Sequence, residues 1–122
     1  QRMRVSTRSK LKDCIIFSGG PRYGSENKEL IFKEYIKFSS KVHIAIRKFG
    51  SGSLDMAYVA AGRCDGMWQR DLNYWDIAAG IILVKESGGF VTDFDGEYRY
   101  LQNKTLLVTN SKINNEMIEV LK

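Results

Sequence analysis

The chain predicts an α/β fold: a layered, mainly parallel (mixed) sheet of about five strands with helices on both faces. Three observations predict it. Short β-rich runs such as DCIIFSGG and TLLVTN alternate with longer helical stretches. Glycine or Asp-Gly punctuation ends most of these segments. The resulting order of strand, helix, strand, helix, strand, helix, two strands and helix is that of crossover connections. With 43% apolar and 11% aromatic residues in 122, one compact core is affordable.

Taken in order, DCIIFSGG (13–20) reads as a buried strand ended by glycines, with Pro21 opposing continuation. From 25 to about 40 a helix is expected, Ile31, Tyr35 and Phe38 lining its inner face with Phe32 and Ile36 beside them; Ser25 serves as a cap and Glu26 suits the positive first turn. VHIAIRKF (42–49) alternates Val42, Ile44 and Ile46 against His43, Ala45 and Arg47, the period of a half-covered strand. GSGS breaks it. A helix over 54–61 follows, stopped by Gly62; CDGMWQ is a further strand and RDLNY a loop.

A helix beginning near Asp76 runs to Ser87 and ends at Gly88-Gly89; FVTDF alternates as a strand, Asp95-Gly96 turns, TLLVTN is the last strand, and 112–121 the last helix. The body of the Asp76 helix, IAAGIILV, is apolar all round, which places it between layers. Gly80 in its middle costs about 1 kcal/mol against Ala, a sign of close approach by a neighbouring element.

Composition narrows the function classes. No apolar run of about 18 residues exists and no export signal is visible, so neither a membrane span nor secretion is expected, and a cytoplasmic location is. Cys14 and Cys64 lack metal-site spacing and read as reduced structural thiols. The net charge of +5 is dispersed except for Arg2, Arg4, Arg8, Lys10 and Lys12, a solvated strand or frayed segment on one view, a polyanion contact on the other.

Two helix starts offer chemistry, because unpaired N–H groups and the helix dipole favour anions there. The first is Gly50, Ser51, Gly52 and Ser53, a loop permitting close ligand approach, though an ordinary turn has the same composition. Arg47 and Lys48 just before it either attract phosphate or are simply solvated. The second is Trp75-Asp76: Asp76 caps the helix while Trp75 packs in the core, or its second oxygen faces a cleft where a hard divalent cation would bind. Asp65, Asp71, Asp93 and Asp95 read as turn or surface residues, Asp55 as a dipole partner, His43 as structural, and Trp68 and Tyr74 as packing residues.

The stretches GSGSLDMAYVAAGRCDGMW and YWDIAAGIILVKESGGFVTDFDG together resemble the glycine-rich loop and the W-D-x-A-A-G signature of the inositol monophosphatase family. The resemblance implies a magnesium-dependent phosphomonoesterase acting on a small phosphate ester, with Asp76 as a metal ligand and Gly50, Ser51 and Gly52 as substrate contacts. Gln69 falls where the family carries a substrate-binding glutamate. It also implies an acidic amino-terminal half, including an Asp-Pro motif, that this chain lacks. Residues 1–122 are therefore expected to form a carboxyl-terminal domain, inactive alone, with no catalytic residue beyond the metal ligand. The full-length protein is expected to be a homodimer, with neither membrane nor nucleic acid as its main partner. The alternative is a non-catalytic module whose basic amino-terminal segment meets nucleic acid or an acidic protein.

Overall fold

A computed structural model describes residues 2–19, 25–48 and 52–122. The strands are β1 (Ile15–Ser18), β2 (Ala45–Arg47), β3 (Gly66–Arg70), β4 (Phe90–Thr92) and β5 (Thr105–Thr109). The helices are α1 (Lys28–Ser39), α2 (Gly52–Ala60), α3 (Tyr74–Glu86), α4 (Tyr100–Asn103) and α5 (Asn114–Leu121). A 3-10 turn, Leu11–Asp13, precedes β1. It and the one-turn α4 carry too few residues to show a period in the sequence.

The sheet has five strands in the order β2-β1-β3-β5-β4. β1 pairs in parallel with β2 and β3, whereas β5 runs antiparallel to both β3 and β4, so the sheet is mixed. The chain passes from β1 outward to β2 and then back across β1 to β3. Right-handed crossovers in opposite directions must place their helices on opposite faces. They do: Phe38 of α1 joins Ile16, Trp68 and Leu107 on one face, and Met56 and Val59 of α2 join Phe17, Met67, Leu106 and Val108 on the other. Neighbouring strand residues separate cleanly between the two cores, as the two-residue period of a strand requires. α3 shares the second face with α2, and α5 the first with α1.

Gly80 carries out the role read from it, since a Cβ there would lie 2.7 Å from Met56 Sδ and 2.9 Å from Met56 Cβ on α2. Gly62, at φ +76°, ends the α2 segment in the left-handed region that glycine enters without strain. Both cysteines are free and buried, and loss of hydration pushes each thiol up to about 12, so they behave as packed apolar groups.

Several expectations are corrected. The inner face of α1 is Ile31, Glu34 and Phe38, while Phe32, Tyr35 and Ile36 point outward. Glu34 goes inside because the Arg70 guanidinium meets it in a two-pronged ion pair, at 2.7 Å from Nη2 and 3.0 Å from Nε, and stacks on Phe94 at 4.9 Å. Ser25 does not cap the helix; its Oγ accepts the Asn27 N–H at 3.1 Å and donates to Asp71. Ile44 is exposed because β2 pairs only from Ala45 onward. α2 begins at Gly52, two residues before the expected start.

The amino-terminal segment is not frayed. Asp65, buried and read from sequence as a turn residue, accepts from Ser6 Oγ, from Arg8 Nη1 at 3.2 Å and from the Ile15 N–H at 2.7 Å. Asn110 adds bonds of 2.9 Å to Ser6 Oγ and to the Arg8 carbonyl, and the Val5 N–H reaches the Ser87 carbonyl at 3.0 Å. Asp93 is likewise buried, its Oδ1 accepting the Asp95 and Glu97 N–H groups and fixing the Asp95-Gly96 turn. A carboxylate survives burial when donors surround it.

Replacing Asp65 by Ala should cost about 2 kcal/mol, chiefly because it leaves the Ile15 N–H without its acceptor, the half-exposed Arg8 staying hydrated. Chemical denaturation of the full-length protein measures this. Hydrogen exchange should quicken first at Val5 and Ile15.

Candidate active site

β1, β2 and β3 are parallel, so their carboxyl ends share one edge of the sheet. From that edge β1 leads to α1 on one face, whereas β2 and β3 lead to α2 and α3 on the other. Adjacent strands whose exits diverge in this way leave a crevice, the usual ligand position of open α/β sheets. The amino termini of α2 and α3 both point to this edge, and the positive ends of their helix dipoles make it attractive to an anion.

Gln69, at the end of β3, is 2% exposed, and its Oε1 finds no partner among the described residues. Beneath it lies Gly19, whose N–H bonds the Trp68 carbonyl at 2.9 Å. A Cβ on Gly19 would stand 2.5 Å from Gln69 Cγ, so only glycine lets the amide lie across the end of β1. The sequence reading assigned Gly19 merely to a strand end; no spacing pattern signals a contact made across two parallel strands.

Of the other residues read as site candidates, Gly52 opens α2. Gly50 and Ser51 lie outside the described residues, as do the side chains at 53 and 76. The backbone of Asp76 is in the first turn of α3, two positions after its first residue. The cap is Asn73, whose Oδ1 accepts the Trp75 N–H at 3.0 Å, so Asp76 is not needed as the cap. Trp75 does not pack in the core: it is 85% exposed, and Tyr74 is also largely exposed. Its place at the start of α3 turns it away from α2. With Ala79 and Ile82 it forms an uncharged outer stripe on a helix read as apolar all round.

Asp55 is the unexpected residue. It lies in the first two turns of α2, 1% exposed, with neither carboxylate oxygen bonded to a described residue. Loss of hydration pushes its carboxyl up to about 6. Among the described residues no group of three or more His, Cys, Asp or Glu side chains could hold a metal ion. A hard cation with near-octahedral demands needs more oxygen donors than one aspartate supplies. The described residues offer at most a partial site.

These features define the class: an α/β domain with an anion-attracting crevice at the carboxyl ends of its parallel strands. The sequence matches the inositol monophosphatase family over residues 1–121. The chain belongs to that family. It is 39% identical over 123 residues to a Caulobacter vibrioides inositol-1-monophosphatase, covering 100% of this chain and 48% of that protein. It is 40% identical over 115 residues to Nus factor SuhB of Pseudomonas aeruginosa, covering 92% of this chain and 42% of that protein. The crystal structure of extragenic suppressor protein suhB from Bartonella henselae superposes with a TM-score of 0.93 at 41% identity, over 100% of this chain and 47% of that one. The chain thus spans about half the length of the relatives it matches. No described helix is long and apolar enough to cross a membrane.

Because the Asp55 carboxyl titrates higher folded than unfolded, the folded state binds the extra proton between about 4 and about 6. That contribution to stability is present at low pH and is lost as pH rises through this window. Asp55→Asn should therefore be close to wild type in unfolding free energy at about pH 4 and gain on it by about pH 7. Denaturant titrations of both proteins across the window measure the difference.

Proposed function

We propose that the protein to which this chain belongs is a magnesium-dependent phosphomonoesterase hydrolysing a sugar-alcohol phosphate, as an inositol-1-monophosphatase does. Residues 1–122 would be its carboxyl-terminal domain, the remaining acidic ligands coming from an amino-terminal half. Support comes chiefly from one arrangement: two helix amino termini and a buried amide oxygen with no partner among the described residues, at a single sheet edge, in a chain of this family.

In this reading, backbone N–H groups of Gly50, Ser51 and Gly52 hold phosphate oxygens and fix the ester relative to the attacking water. Gln69 accepts a hydrogen bond from a substrate hydroxyl through Oε1, and Gly19 keeps that amide in place. Asp76, on the rigid first turn of α3, would give one carboxylate to magnesium. Bound magnesium supplies charge neutralisation, a more acidic water and stabilisation of the leaving alkoxide. The P–O ester bond breaks, and alcohol and inorganic phosphate leave. The isolated chain should be inactive and bind magnesium weakly, and the full-length protein is proposed as a cytoplasmic homodimer.

A second reading, a role outside catalysis, is favoured by relatives named Nus factor SuhB. In the basic amino-terminal segment Arg8 is paired with Asp65, so Arg2, Arg4, Lys10 and Lys12, all exposed, would carry it.

Asp76→Asn in the full-length protein should lower turnover of inositol 1-phosphate by at least about 100-fold and weaken magnesium binding by calorimetry. Unchanged turnover would remove Asp76 from the mechanism. Gly19→Ala should raise KM about tenfold with a smaller effect on kcat, as Gln69 is displaced.

A further inference from the structure

Two consecutive residues bind the end of β3 to the start of α1. Arg70 meets Glu34 of α1 through Nη2 at 2.7 Å and Nε at 3.0 Å. Asp71, the next residue, accepts from Ser25 Oγ at 2.5 Å through Oδ2 and from Asn27 Nδ2 at 2.6 Å through Oδ1. Both of its oxygens are thus taken by the segment that leads into α1. Its backbone lies at φ +59°, in the left-handed region that side chains enter at a cost and that Asp and Asn tolerate better than most. The chain changes sides of the sheet there: Arg70 stacks on Phe94 in the core beneath α1, and Leu72 joins the core beneath α2 and α3.

These contacts fall where the pairing of β1 with β3 stops. The last pair is Ser18 with Trp68, after which the Gly19 N–H adds one bond to the Trp68 carbonyl. Gln69 lies just beyond, its amide across Gly19, where ladder bonds to β1 no longer fix the separation of the two exits. The Asp71 bonds resume that task further on. Gln69 therefore stands between a tie behind it at Gly19 and a tie ahead of it at Ser25 and Asn27.

We propose that Asp71 is a positioning residue of the crevice: by joining the diverging exits of β1 and β3, it holds Gly19 against Gln69 and so fixes the amide that meets the substrate. This role rests on the reading of Gln69 as a substrate contact. Glycine would satisfy a φ of +59° with less strain, so the turn itself does not call for a carboxylate. The two bonds across the crevice do, because an ionised carboxylate accepts from two separate donors at once. With both oxygens occupied, Asp71 acts through Gln69 and not on the substrate directly.

The test is a double-mutant cycle in the full-length protein with inositol 1-phosphate as substrate. Asp71→Gly removes both bonds yet suits the left-handed backbone, which favours a folded variant. Its KM should rise at least about fivefold, with a smaller effect on kcat. In a Gln69→Ala background the same change should move KM less than about twofold, because the residue it acts through is gone. Asp71→Asn keeps an acceptor for Asn27 and gains a donor for Ser25, and should hold KM within about twofold of wild type. Phenyl phosphate, whose leaving group carries no further hydroxyl, should show no matching rise in KM for Asp71→Gly. Independently of turnover, the Gly19 N–H should exchange with deuterium at least about tenfold faster in Asp71→Gly than in wild type or Asp71→Asn. Additive KM effects in the cycle, equal rises for both esters, or unchanged exchange at Gly19 overturn the proposal. Should the wild-type protein hydrolyse neither ester, the phosphatase reading fails, and exchange at Gly19 alone decides whether Asp71 holds the two exits together.

Discussion

β1 lies between two parallel neighbours, and the chain must leave its carboxyl end toward one face while β2 and β3 leave toward the other. This constraint organises the molecule. The right hand of each crossover turns a change of direction into a change of face, so α1 and α2 cannot share a side. It also opens a crevice where the exits part, with two helix amino termini and the end of β3 around it. Gly19, Gln69 and the starts of α2 and α3, from separate parts of the sequence, gather there for topological reasons.

Buried polar groups divide into two kinds. Asp65, Asp93 and the Glu34–Arg70 pair are well supplied with donors or counter-charge, and each ties together segments distant in sequence. Asp65 holds the amino-terminal segment against β1, and Glu34 holds α1 to β3. Gln69 and Asp55, by contrast, are buried with oxygens that find no partner among the described residues, one at the exit of β3 and the other near the start of α2. An unmet acceptor inside a protein costs free energy, and such costs are tolerated most readily where a ligand or proton offsets them.

The elements were largely legible along the chain because hydrophobic period, glycine stops and the Asp95-Gly96 turn are local signals. Some misreadings came where a partner distant in sequence decided the outcome, others from competition between near neighbours. Tyr35 seemed a better inner residue than Glu34 until Arg70 offered a counter-charge from β3. Asp76 seemed the cap until Asn73 took the Trp75 N–H, a competition between near neighbours that composition does not rank. Trp75, placed in the core on the view that Asp76 is simply a cap, is exposed at the start of α3.

Residue order along the chain was enough to establish the layered α/β class and the Trp75-Asp76 signature, since each depends on neighbours a few positions apart. Folding in three dimensions decided which carboxylates are buried, that Gly19 supports Gln69, and that Phe32, Tyr35 and Ile36 of α1 face outward. Those outcomes depend on contacts between strands and helices dozens of residues apart. Burial and pairing are properties of such contacts and carry no period to read.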